Sequence, residues 1–200
     1  SVINITGGKV DVTGEAPEDT EAVSNGTSTG KINISDSTVV NGKIATLVAV
    51  IRYADGNSYS FMTIEDAIAK AQAGDVVTLI RDVTVAEKIT IAKSITLDGN
   101  GKAITYTGSD RAIDVPANAD AKVNVTIENL TVDCTASYCQ RGINYNDDGA
   151  LTLEGVTVKG TKVTYALNLP GSSDNCEVAI NNSSLTGNIA LNVWGEKSTI

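Results

Sequence analysis

Three kinds of short segment recur in a fixed order along residues 95–195, and that recurrence limits the fold of this chain more than any other feature. The first kind is "ITLDG" (95–99), "VTIEN" (125–129), "LTLEG" (151–155) and "VAINN" (178–182). The second is "AITYTG" (103–108), "LTVDC" (130–134), "VTVKG" (156–160) and "SSLTG" (183–187). The third is "RAIDVPA" (111–117), "RGINYND" (141–147), "YALNLPG" (165–171) and "IALNVWG" (189–195). The shared core of this third kind starts at Ala112, Gly142, Ala166 and Ala190, at steps of 30, 24 and 24 residues. Every segment alternates apolar and polar residues with period two, the pattern of a half-buried strand. Gly, Asn and Asp separate them. A fixed repeat of this length points to a stacked architecture, in which one unit cannot bury its apolar face alone.

No two-residue hairpin signature closes the segments in pairs. The expected fold is therefore all-β: a right-handed parallel β-helix with three short strands per coil, each strand pairing with its counterpart one coil later. Ile95 and Leu97, Ile104 and Tyr106, Ile113 and Val115, with their equivalents in later coils, are the expected inward positions. A β-sandwich is the competing fold. "DGNG" (98–101) is the one segment that reads as the tight hairpin a sandwich needs.

One segment departs from the β pattern. "MTIEDAIAKAQAGD" (62–75) carries an N-cap residue at Thr63, acidic residues Glu65 and Asp66 in the first turn, and an apolar stripe of Ile64, Ala67, Ile68 and Ala71. Gly74 marks its end. This predicts a capping α-helix around 63–73, placed to cover the open end of the stack and its strand edges.

The stretch "TIEDAIAKAQAGDVVTLIRDVTVAEKITIAKSITLDGNGKAIT" (63–105) resembles the start of pectin-lyase-like right-handed parallel β-helix domains of bacterial secreted and cell-surface, adhesin-like proteins. In those, a helix ending in Ala-x-x-Gly-Asp precedes a first strand, a short "DVT" strand and a "SITLDGNG" coil. The resemblance is carried strongly by these 43 residues and by pattern alone over the following coils. It implies extracellular display, right-handed coiling and contact with carbohydrate. It implies no single activity, since fold does not set function. The hydrolases of the family use clustered Asp with a catalytic His, and this chain contains no His. The lyases use calcium held by acidic residues with an Arg or Lys base, which would match Asp147 and Asp148 with Arg141 or Arg111. A solvated acidic turn is the plainer reading of that pair.

Residues 1–47 read as an N-terminal β segment, either coils of an upstream module or strands that fold against this one, and 48–200 as the capped β-helix domain. "INITGGKV" (3–10) and "INISDSTV" (32–39) have coil-strand patterning 29 residues apart, and the acidic stretch between them (13–30) reads as a long loop. The chain opens and stops within strand pattern and shows no signal peptide, so we read it as a piece of something longer, with further modules expected.

Composition narrows the function. A net charge of −9 and a sequence pI near 4.4 argue against nucleic acid, whose affinity comes from Lys and Arg on phosphates. No apolar run is long enough to insert in a membrane. Aromatic residues make up 4% of the chain, so the core must rest on Ile, Val and Leu, which suit pleated surfaces. The three cysteines make no disulfide framework, and without His no Cys/His metal site exists. Cys134 and Cys139 can close a small loop as a disulfide or sit as buried hydrophobes, and Cys176 is the odd one. No metal and no cofactor is expected.

Two features offer a ligand site. Asp114, Asn144, Asn168 and Asn192 occupy one position in four successive coils, and strict alternation places them outward. Amides in a row about 4.8 Å apart can meet sugar hydroxyls, or can bond to one another along the stack. Trp194, the sole tryptophan, offers a stacking face for a sugar or a cover for the coil wall; Tyr138 and Tyr165 are lesser candidates. Glycoside hydrolysis would require two carboxylates brought close, with Asp133, Glu154 and Asp114 as candidates. The row Thr96, Thr126, Thr152 is broken by Ala179, too short for an ice-binding array. The expectation is a non-catalytic extracellular or cell-surface module, adhesin-like or carbohydrate-binding, with glycans or host or neighbouring surface proteins as partners. A polysaccharide lyase or hydrolase, and a purely structural stalk or spacer, are the alternatives.

Overall fold

The computed structural model describes residues 48–52, 58–160 and 162–200 and, within the first 47 residues, the backbone of six short strands. Among the described residues from 48 on, the fold is mostly β, a parallel β-solenoid of about 4 turns with three parallel sheets and one helix. The first sheet contains the parallel strands Val76–Leu79, Thr96–Asp98, Val125–Glu128, Ala150–Glu154 and Glu177–Asn181. The second contains Val83–Val85, Ala103–Tyr106, Thr131–Asp133, Thr157–Lys159 and Ser184–Leu185. The third contains Ile89–Thr90, Arg111–Val115, Cys139–Tyr145, Val163–Leu169 and Ile189–Val193. The chain visits the three sheets in rotation.

The registers are the columns read from the sequence in the first and third sheets; in the second, Ile104 stands opposite Val132 and not Leu130. Leu97 stands beside Ile127, Leu153 and Ile180 in the first sheet. Ile104 aligns with Val132, Val158 and Leu185 in the second. Ile113 aligns with Ile143, Leu167 and Leu191 in the third. Like stacks on like because a parallel strand pair offers each side chain its own counterpart one coil away. The aliphatic members of these columns are fully buried except in the last coil, where Ile180, Leu185 and Leu191 are only partly covered and Val193 is exposed.

The corners between first and second sheets explain the Gly and Asn punctuation. Asn129, Gly155 and Asn182 hold this corner in three coils with φ of 50°, 63° and 48°. This left-handed region favours Gly and Asn over other residues. The corners also stack, with the Asn129 N–H donating to the Glu154 carbonyl and the Gly155 N–H to the Asn181 carbonyl. "DGNG" is the wider version of the same corner, with Asn100 and Gly101 at positive φ. It joins strands of two different sheets and is not a hairpin.

The helix forms over Ile64–Lys70, shorter than the 63–73 expected, and Ile64, Ala67 and Ile68 are its buried face. Thr63 is the N-cap, its Oγ1 accepting the Asp66 N–H at 3.1 Å. The helix has company at this end of the stack that sequence reading did not foresee. Strand Ala49–Arg52 pairs antiparallel with Val76–Leu79 on one side and with Ser58–Phe61 on the other, so two antiparallel strands extend the first sheet beyond the coils. Among the described residues no helix is long and apolar enough to cross a membrane.

In the N-terminal segment, Val2–Ile5 pairs in parallel with Lys31–Ile34, Ile3 opposite Ile32, and Gly8–Asp11 with Thr38–Asn41. These are the two coil-like stretches 29 residues apart. The stretch between them, read as a loop, includes the strand Glu21–Val23, which pairs with Lys43–Ile44.

Candidate functional site

The third sheet carries the amide column, and the structure places it differently from strict alternation. On Arg111–Val115, Cys139–Tyr145 and Val163–Leu169 the last four residues are all buried. Asp114, Asn144 and Asn168 are each 3% exposed, so they are not a sugar-facing row; Asn192 in the last coil is partly buried. The side chains bond to one another along the stack. Asn192 Nδ2 donates to Asn168 Oδ1 at 2.7 Å, Asn168 Nδ2 to Asn144 Oδ1 at 2.7 Å, and Asn144 Nδ2 to Asp114 Oδ1 at 2.8 Å. Satisfied donors and acceptors make this burial tolerable.

Asp114 ends the ladder as its charged acceptor. Lys88 Nζ lies 3.1 Å from its Oδ2, and Arg111 Nη1 3.1 Å from its Oδ1. Burial pushes the Asp114 carboxyl up, but the hydrogen bonds from Asn144 and Lys88 and the Arg111 charge together outweigh it, so the net shift is downward. An ionised Asp114 only accepts, which orients every amide above it with nitrogen toward the carboxylate.

The polypeptide that follows each of the last four third-sheet strands forms a stack of loops at 116–124, 146–149, 170–176 and 194–198. Short polar side chains hold them. Asp147, buried, accepts the N–H groups of Val123 (2.8 Å) and Gly149 (2.9 Å) on Oδ1 and of Asn118 (2.9 Å) on Oδ2. Asp148 accepts the Asn175 N–H and Asp174 the Glu196 N–H, each one coil on. Ser172 Oγ donates to Asn146 Oδ1. The acids of "NDDG" thus act as backbone acceptors tying loop to loop. Arg111 and Arg141 lie on the third sheet and engage Asp110, Asp114 and Gln140 instead.

An open groove of about 440 Å³ runs along this loop stack, lined by residues 117–122, Asp147, Asp148 and Ser172. Trp194 stands one coil beyond Ser172. Its N–H donates to the Leu169 carbonyl at 2.9 Å, and its side chain is 67% exposed. Tyr138 and Tyr165 lie at the opposite ends of the third-sheet strands: Tyr165 aligns with Arg141 and Ile189, and the exposed Tyr138 meets Thr164 Oγ1 at 3.0 Å. The aromatic candidates therefore do not form one platform.

The three carboxylates weighed for hydrolysis sit on three different sheets: Asp114 on the third, Asp133 on the second and Glu154 on the first. Asp133 is ion-paired to Lys159 at 3.0 Å and Glu154 accepts from Asn182 Nδ2 at 2.7 Å. Thr96, Thr126, Thr152 and Ala179 do stand in one register on the first sheet. All three cysteines are free thiols and buried. The groove on the loop stack was not legible in the sequence; the clustering of Pro, Gly, Ser, Asn and Asp after each third-kind segment was its only signal.

Comparison of the chain with protein-family models, with curated proteins and with solved structures gave no match.

Proposed function

We propose that this protein is a non-catalytic, extracellular or cell-surface β-solenoid module of the right-handed pectin-lyase-like kind, bacterial and adhesin-like, that binds carbohydrate on its third-sheet loop stack. Residues 48–200 act as the capped unit and 1–47 as coils of an upstream one. The observation that carries the reading is Trp194: a lone tryptophan left 67% exposed on the loop stack that also carries the open groove, in a chain with few aromatics. A large apolar ring left in water is a stacking face for the apolar side of a sugar ring. Hydroxyl partners come from the groove, where Asp148, Asn118 and Ser172 bring oxygens and amides. The buried amides follow the second of the two readings the sequence offered: they bond to one another, and their ladder braces the strands that carry the loops.

The test is binding of the chain to a broad array of glycans and polysaccharides, with Trp194→Ala beside it. Specific binding that falls at least tenfold in the variant, with folding unchanged, is the expected result. Binding that survives the substitution moves the site away from Trp194. Absence of binding on the whole array favours the spacer reading, in which the solenoid holds a neighbouring module at a distance.

A further inference from the structure

Cys134 and Cys139 flank a four-residue turn between the second and third sheets, Cys134 just beyond strand Thr131–Asp133 and Cys139 at the start of Cys139–Tyr145. Both are held against the same short piece of the next coil. The Cys134 N–H donates to the Lys159 carbonyl at 2.8 Å and the Cys139 N–H to the Lys162 carbonyl at 3.2 Å. Gly160 closes that piece so tightly that a side chain there would meet Val163 Cγ2 at 2.5 Å and the Cys134 carbonyl oxygen at 2.9 Å. Val163 in turn stands in register with Cys139. Both thiols are fully buried and lie side by side, and Cys139 Sγ donates to the Arg141 carbonyl oxygen at 3.0 Å.

We propose that Cys134 and Cys139 are a covalent modification site, joined as a disulfide that closes the corner between the second and third sheets when the chain folds in an oxidising compartment, with Cys176 left as a free thiol. The pair stands apart from Cys176, whose Sγ lies 3.2 Å from Ser198 Oγ on the loop stack at the other end of the third-sheet strands. The oxidant is a small-molecule disulfide. The Cys139 thiolate attacks one sulfur of that disulfide, expelling the first small thiol and leaving a mixed disulfide on Cys139. The Cys134 thiolate then attacks Cys139 Sγ and expels the second small thiol. Two protein thiols lose two electrons and two protons, and the reagent is reduced to two thiols. Because both sulfurs are buried in the folded corner, the exchange takes place as the corner closes.

The full 200-residue chain, reduced and unfolded in denaturant, is refolded in a buffer of reduced and oxidised glutathione, then alkylated and digested with trypsin. The peptide 123–141 contains both Cys134 and Cys139 and no internal Lys or Arg; 163–197 contains Cys176 alone. The expected result is peptide 123–141 unalkylated and lighter by two hydrogen atoms, with Cys176 alkylated in full. The cross-linked protein is expected to melt about 5 °C above the same protein kept reduced. Recovery of 123–141 with both cysteines alkylated overturns the proposal, and so does a disulfide that includes Cys176. Glycan binding plays no part in this readout.

Discussion

At the scale of single residues, Asp114 decides the direction of the amide ladder. Its carboxylate accepts from Asn144 at one oxygen and from Lys88 at the other, with Arg111 alongside. Replacing it by Asn keeps the shape but removes the charge that three donors face. Asp114→Asn is expected to lower stability by about 2 kcal/mol, read from denaturant midpoints. The pH dependence follows from the downward shift of its carboxyl. The folded state holds the proton less tightly than the unfolded chain does. The stabilisation is therefore complete above the ordinary carboxylate range and disappears as pH falls through the lowered folded value. The native chain should lose more stability than the variant between about pH 5 and pH 2. Equal losses would show that folding does not shift the Asp114 carboxyl. That the column is Asp-Asn-Asn-Asn was plain in the sequence. Whether it faced sugar or itself was not, because alternation assigns a face and says nothing about what covers it.

At the scale of the element, the third-sheet strands show where repeat logic and packing part. The column Ala112, Gly142, Ala166 and Ala190 invites Ala at the one Gly. The structure forbids it: a Cβ on Gly142 would lie 2.5 Å from Val158 Cγ1 and 2.8 Å from the Ala166 carbonyl oxygen. Gly142→Ala, although it restores the consensus of the column, is expected to destabilise by about 1–3 kcal/mol through overpacking. Thermal or chemical unfolding checks it, and a stabilised variant would mean that the second sheet yields. The helix shows the reverse relation. Thr63, the acidic first turn and the apolar stripe predicted its start to the residue, since a cap is a contact between residues three apart. Its antiparallel neighbours were missed, because Ala49–Arg52 meets Val76–Leu79 across a gap in sequence that no local pattern spans.

At the scale of the whole molecule, the stack has an interior and an end. Leu167 is fully buried between coils, whereas Leu191, its counterpart in the last described coil, is partly open. Leu167→Ala is therefore expected to cost about 2–5 kcal/mol and Leu191→Ala distinctly less. The same gradient should appear in amide hydrogen exchange, with 125–169 slowest and 177–200 faster, since each coil is stabilised by the neighbours it touches. Equal costs and uniform exchange would mean that another surface covers the last coil in solution.

What the sequence determined by itself was everything that repeats or is local. Like residues at fixed spacing dictated three columns, the registers of the first and third sheets and the parallel stack, because parallel pairing sets each strand against its own copy. The helix cap and the Gly and Asn corners followed from backbone sterics within a few residues. The tertiary structure decided the rest: the burial of the amide ladder, the meeting of Cys134 with Cys139, the use of Asp147 as a backbone acceptor, and the groove on the loop stack. Each depends on which chain segment comes to lie over a given face, and that is set by the distance the chain travels between sheets and by how adjacent coils fill the space.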